Sequence, residues 1–143
     1  MKTVTVDAAL SQLEAVQAFI ETELDQKRIP DRARMQIALA AEEIFVNIVH
    51  YAYHPQTGTV TVSCSAEGEP LQVILEFTDS GRPFDPLAAP KADVSLSAGE
   101  RKIGGLGILL AQKSMDQISY VYRDGKNILT LKKNLPVSSP ANS

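Results

Sequence analysis

Leu71-Gln72-Val73-Ile74-Leu75-Glu76-Phe77-Thr78-Asp79-Ser80-Gly81 alternates apolar and polar side chains until it reaches a carboxylate and a glycine. Leu71, Val73, Leu75 and Phe77 fall on one face and Gln72, Glu76 and Thr78 largely on the other, so the stretch reads as a strand with one covered face. Strand parity carries Asp79 onto that same face. A carboxylate pointing inward needs N–H partners, because an unpaired buried charge is expensive. The alternative is that Asp79-Ser80-Gly81 only caps a turn, a common use of Asp and Gly.

Working outward, Glu67-Gly68-Glu69-Pro70 marks a hairpin back to Thr59–Ala66, where Val60, Val62 and Cys64 alternate with hydroxyl residues. Before that lies a helical run from about Asp31 to Tyr53, with Pro30 at its first turn and Ile37, Ala41, Ile44 and Ile48 on one apolar face. The chain opens with a short strand, Thr3-Val4-Thr5-Val6, and Asp7 is placed as N-cap of a helix carrying Leu10, Leu13, Val16, Ile20 and Leu24.

Downstream, residues 80–101 contain Gly81, Pro83, Pro86 and Pro90, too long and irregular for an ordinary connection, and are expected to act as a lid. Gly104-Gly105-Leu106-Gly107 then opens a helix with Ile108, Leu109, Ala111 and Met115, followed by strands over Gln117–Tyr122 and Asn127–Lys133 around an Arg123-Asp124-Gly125-Lys126 turn. Hairpin-paired strands with helices gathered elsewhere predict an α+β two-layer sandwich with a mixed, mainly antiparallel sheet. Residues 1–135 are expected to form one domain and 136–143 a disordered tail.

The bulk properties exclude several functions. A net charge of −3 over 143 residues offers no basic footprint for nucleic acid or anionic lipid. No stretch approaches the roughly 20 apolar residues of a membrane span. Cys64, the single cysteine, cannot form an internal disulfide, and the N-terminus lacks the apolar run of a secretory signal, so a cytoplasmic location is expected. His50 and His54 stand four apart without a Cys or His cluster, which argues against zinc. The tyrosines Tyr51, Tyr53, Tyr120 and Tyr122 read as core or hairpin packing.

Three separated clusters carry the chemistry. Glu43 and Asn47 are four residues apart on the long helix, so both reach one ligand; the Asn oxygen suits Mg²⁺ and the carboxylate can orient or deprotonate a nucleophile. A solvated polar stripe is the alternative, and Glu42, five residues from Asn47, converges less well. Asp79 could accept from an adenine amino group while Gly81 lets a flat base approach the backbone. Gly104, Gly105, Leu106 and Gly107, with Arg101 and Lys102 nearby, place unpaired N–H groups and positive charge at a helix entry, where phosphate binds, although a bland turn would use the same glycines. The pattern matches neither the Walker A loop nor the Rossmann fingerprint.

Ala40-Ala41-Glu42-Glu43-Ile44-Phe45-Val46-Asn47, Asp79-Ser80-Gly81-Arg82-Pro83-Phe84-Asp85-Pro86 and Gly104-Gly105-Leu106-Gly107-Ile108 together resemble the three boxes of the GHKL ATPases, most closely the anti-sigma-factor serine/threonine kinases of bacteria. The resemblance implies a Bergerat-type ATP pocket between the helices and one face of the sheet. It assigns Asn47 to Mg²⁺, Glu43 to the catalytic base, Asp79 and Gly81 to the adenine, and Gly104, Gly105 and Gly107 to the lid and phosphates. Many relatives have His where this chain has Tyr51, and Thr near the adenine where it offers Asn127, which can still hydrogen-bond to the base, directly or through water.

The activity implied is transfer of the ATP γ-phosphate to a serine or threonine of an anti-sigma-factor antagonist of STAS type, with a sigma factor as the second partner and room for a homodimer. Histidine-kinase relatives carry a separate helical domain with the phosphorylated histidine, for which 143 residues leave no room. Two other readings stay open: a nucleotide-gated binding module that transfers no phosphate, and a simple ATPase without a protein acceptor.

Overall fold

The computed structural model describes residues 1–53, 56–85 and 111–135. Five strands, β1 (Lys2–Asp7), β2 (Thr59–Glu67), β3 (Gln72–Asp79), β4 (Gln117–Arg123) and β5 (Lys126–Asn134), form one sheet in the order β1-β2-β3-β5-β4. All four pairings among these strands are antiparallel. Helices α1 (Leu13–Asp25) and α2 (Asp31–Tyr51) supply the second layer, which gives the expected α+β sandwich.

The alternation in β3 has the expected consequence. Val73, Leu75, Phe77 and Asp79 are buried, and the residues between them are half-exposed. Val60, Val62 and Cys64 from β2 and Leu129 and Leu131 from β5 continue the covered face, against Val16, Ile20 and Leu24 of α1 and Ile37, Ala41, Ile44 and Phe45 of α2. The two helices are tied by Gln17, whose side-chain N–H donates to the Ala38 carbonyl at 3.0 Å, and by Arg34, which pairs with Glu21 and Asp25. No helix among the described residues is long and apolar enough to cross a membrane.

The start of the chain departs from expectation. Asp7 does not cap a helix: it lies opposite Thr59 in the β1–β2 register, so the strand continues through it. A short 3-10 turn over Leu10–Gln12 follows, and α1 begins only at Leu13, with no side-chain cap. Strand pairing outweighs the capping preference, which is worth only about 1 kcal/mol. Pro30 sits immediately before α2, where its fixed φ and missing N–H cost nothing. In the β4–β5 turn, Asp124 and Gly125 both take positive φ, 55° and 76°, as a two-residue hairpin loop with the twist of its strands requires.

Candidate functional site

A cleft opens between the C-terminal half of α2 and the end of the sheet where β3 finishes and β5 begins. Ile44, Ile48 and Ala52 from α2 and Phe77 and Leu129 from the sheet make its apolar walls, Phe84 and Tyr120 line it further, and Asn47, Asp79 and Asn127 are its polar groups. An apolar slot with a few convergent polar atoms suits a flat heteroaromatic ring.

Asp79 is 5% exposed and points inward, as its parity requires. Its Oδ1 accepts from the Gly81 N–H at 2.9 Å and from Asn127 Nδ2 at 2.9 Å. Among the described residues no group donates to Oδ2, so one carboxylate oxygen is left for a ligand. Burial raises the carboxyl pKa, and the two donated hydrogen bonds pull in the opposite direction.

The turn after β3 is latched to the end of α2. The Arg82 N–H donates to the Ala52 carbonyl at 2.9 Å, the Arg82 side chain donates through Nε to the Tyr51 carbonyl at 2.8 Å, and Phe84 stacks on Tyr51 with ring centroids 5.0 Å apart. A guanidinium on the last carbonyls also complements the negative end of the helix dipole. Tyr53 closes the same corner: its hydroxyl donates to the Thr59 carbonyl and accepts from the Ser80 N–H, each at 2.7 Å. Gly81 is demanded by this latch, since a Cβ there would lie 2.2 Å from the Ala52 carbonyl oxygen. The close approach that excludes a side chain is thus to α2.

Asn47 is 4% exposed and lines the cleft. Its Nδ2 is buried without a hydrogen-bond partner, a loss of about 1–3 kcal/mol for such a group. Glu43 is half-buried on the same helix, one turn before Asn47, and its carboxyl pKa is raised, first by burial and then by the neighbouring Glu42 charge. Glu43 does not line the cleft itself.

Of the residues singled out in the sequence, Asn47, Asp79 and Asn127 meet in one cleft, Gly81 adjoins it and Glu43 stands one helical turn away. Arg101, Lys102, Gly104, Gly105, Leu106 and Gly107, assigned to phosphate, lie outside the described residues, as does the lid expectation from residue 86 onward. Phe84 and Tyr120 escaped sequence reasoning as wall residues. The register held a signal for Tyr120: it pairs with inward-facing Leu129, and residues directly opposite share a face.

Residues 6–133 match the model of the histidine kinase-like ATPase domain. The chain is 30% identical over 135 residues to the serine/threonine-protein kinase BtrW of Bordetella bronchiseptica, an alignment that covers 91% of this chain and 92% of that protein. In fold it is similar to the structure of the RsbU and RsbW domains of Rv1364c from Mycobacterium tuberculosis, with a TM-score of 0.60 at 15% identity over 94% of this chain, which spans about a third (32%) of that one. The histidine kinase domain of a blue-light activated kinase from Erythrobacter litoralis gives a TM-score of 0.54 at 13% identity, over 87% of this chain and 60% of its own. With the family model spanning nearly the whole described fold, the chain belongs to the histidine kinase-like ATPase domain family.

Proposed function

We propose that this chain is an ATP- and Mg²⁺-dependent protein serine/threonine kinase of the anti-sigma-factor type, with the cleft as its nucleotide site. The observation that carries this reading is the pairing of Asp79, open at Oδ2, with the cleft-lining Asn47 and the Glu43 carboxyl one turn before it on α2. Family membership supports ATP as the nucleotide, and likeness to BtrW over nearly its full length supports transfer to a serine or threonine.

In this reading the purine sits between Ile48, Ala52, Phe77 and Leu129, and its amino group donates to Asp79. Asn47 lines the cleft with a carboxamide whose Nδ2 no protein acceptor engages, and its neutral side-chain oxygen suits Mg²⁺. Among the described residues no group of three or more His, Cys, Asp or Glu could hold a metal alone, so an ion here would lean on phosphate oxygens and water, as Mg²⁺ commonly does. A bound Mg²⁺ would supply charge neutralisation on the phosphates. Glu43 takes the proton of the incoming hydroxyl, and its raised pKa makes it a better base than an exposed carboxylate. Arg101, Lys102 and Gly104 to Gly107 are proposed to meet the phosphates.

Asn47→Ala should weaken Mg²⁺-dependent ATP binding by on the order of tenfold or more while changing metal-free binding little. Calorimetry with and without Mg²⁺ measures both terms, and equal affinities in mutant and wild type would take Asn47 out of the metal site.

The partners proposed are an anti-sigma-factor antagonist of STAS type as phosphate acceptor and a sigma factor as the protein held in check, through the resemblance to that branch of the family. Cytoplasmic location and a homodimer belong to the same proposal. The direct test is single-turnover incubation with γ-labelled ATP and a candidate antagonist. Label on a serine or threonine of the antagonist is expected. Phosphate released to water with the antagonist unlabelled would indicate a simple ATPase, and binding of both ATP and partner without turnover would indicate a nucleotide-gated binding module.

A further inference from the structure

Asn127 stands directly opposite Asp79 in the β3–β5 register, is 5% exposed, and lines the cleft, the position from which it was expected to touch the base. Its bonds run elsewhere. Nδ2 donates to Asp79 Oδ1 at 2.9 Å and to the Arg82 carbonyl at 2.8 Å, while Oδ1 accepts from the Phe84 N–H at 3.1 Å and from the Tyr120 hydroxyl. A carboxamide has two N–H donors and two oxygen lone pairs, and here all four are engaged. The orientation is fixed as well: turning the amide over would set oxygen against the Arg82 carbonyl and NH₂ against the Phe84 N–H.

Resting on the reading of the cleft as an ATP site, we infer that Asn127 is a positioning residue. It binds Asp79 Oδ1 and the turn after β3 so that Asp79 Oδ2 alone is offered to the purine amino group, and it contributes no polar atom to the base. Two features support this beyond the bond count. Asp79 Oδ1 is occupied twice, by Asn127 and by the Gly81 N–H, so rotation of the carboxylate would break both bonds. Phe84, a wall of the cleft stacked on Tyr51, is held through its N–H by the same carboxamide. Because Phe84 also keeps its stack on Tyr51, loss of the carboxamide should fall mainly on the Asp79 acceptor. A residue that read the ring directly would need a donor or acceptor to spare.

The consequence is a split that a direct base contact or a general structural role would not produce. Affinities for ATP and for purine riboside triphosphate, which lacks only the 6-amino group, are to be measured with Mg²⁺ for wild type and Asn127→Ala. The alanine variant should lose about tenfold for ATP, the scale of a hydrogen bond to a charged group, and change less than about twofold for the purine analogue. Asn127→Thr, which returns one hydroxyl donor beside Asp79, should recover part of the ATP preference. Should Asn127→Ala fail to fold, Tyr120→Phe removes only the hydroxyl that pins Oδ1 and should give the same selective loss at about two- to threefold.

Equal losses for the two nucleotides, or none, in a folded variant would overturn the positioning role. Wild-type protein that binds ATP without preferring it to the analogue would overturn this inference through Asp79 while leaving ATP binding intact. Wild type that binds neither nucleotide would instead sink the ATP reading beneath it.

Discussion

Glu43→Gln is expected to bind Mg·ATP within about twofold of wild type and to transfer phosphate to a protein acceptor roughly 10²- to 10⁴-fold more slowly, the range that general-base catalysis supplies. Glu43 is one turn from Asn47 on a rigid helix, close to where the metal and γ-phosphate would sit and outside the wall of the cleft that holds the base. Binding and chemistry should therefore separate. Among the described residues nothing hydrogen-bonds to its carboxylate, and burial with the Glu42 charge keeps its pKa raised. The base works ionised, so wild-type transfer should fall as pH drops through that raised pKa. The glutamine variant should lose this limb of the profile.

The same shift provides a folding control. A carboxyl whose folded pKa lies above its unfolded value contributes stability that is present at low pH and lost as pH rises through the folded value. Removing the charge should leave the variant melting no lower than wild type at neutral pH. Single-turnover transfer across pH, with thermal melts on the same samples, checks all of this. A glutamine variant that transfers phosphate at the wild-type rate would remove Glu43 from the chemistry and leave its desolvation without a catalytic purpose.

What could be read in the chain tracks how local the determining physics is. The period-two pattern of β3 fixed its covered face and with it the inward carboxylate of Asp79, because parity admits only two answers. The placement of Glu43 and Asn47 one turn apart on one helix was legible for the same reason at helical period, and the β4–β5 turn from its Asp124-Gly125 pair. The first helix was misjudged at its start because pairing of Asp7 with the distant Thr59 outweighed a local cap.

The contacts that Gly81 and Asn127 make within the protein were hidden for a related reason. The steric demand on Gly81 comes from Ala52 at the end of α2, and the Asn127 bonds reach Asp79, Arg82 and Phe84 from another strand. Neither contact leaves a mark in its own neighbourhood of the sequence. Motif reading could place both residues at the site. It could not tell a ligand contact from a brace, because that depends on which polar atoms the protein has already used.

Asp79→Asn is expected to abolish most of the preference for ATP over GTP, which in wild type should be about 100-fold or more. Adenine presents an amino donor to Oδ2, whereas guanine in the same pose presents a carbonyl, leaving two acceptors facing each other without a proton in a buried site, at a loss of about 1–3 kcal/mol or more where charge is involved. An asparagine can keep the bonds that Gly81 and Asn127 donate to Oδ1 and turn its amino group to the cleft, where it suits the guanine carbonyl. GTP should gain as ATP loses. Apo stability should move the other way from ATP affinity: burial raises the Asp79 pKa, so its ionised form is held at a cost at neutral pH that the neutral amide avoids. The variant should melt at or above wild type at pH 7, and the advantage should shrink as pH falls through the raised pKa and wild-type Asp79 takes up its proton. Competition binding with the two nucleotides and melts at several pH values test the two halves separately. Equal wild-type affinity for ATP and GTP would refute the adenine role of Asp79, and an Asp79→Asn variant destabilised at every pH would mean that the carboxylate serves the fold more than the ligand.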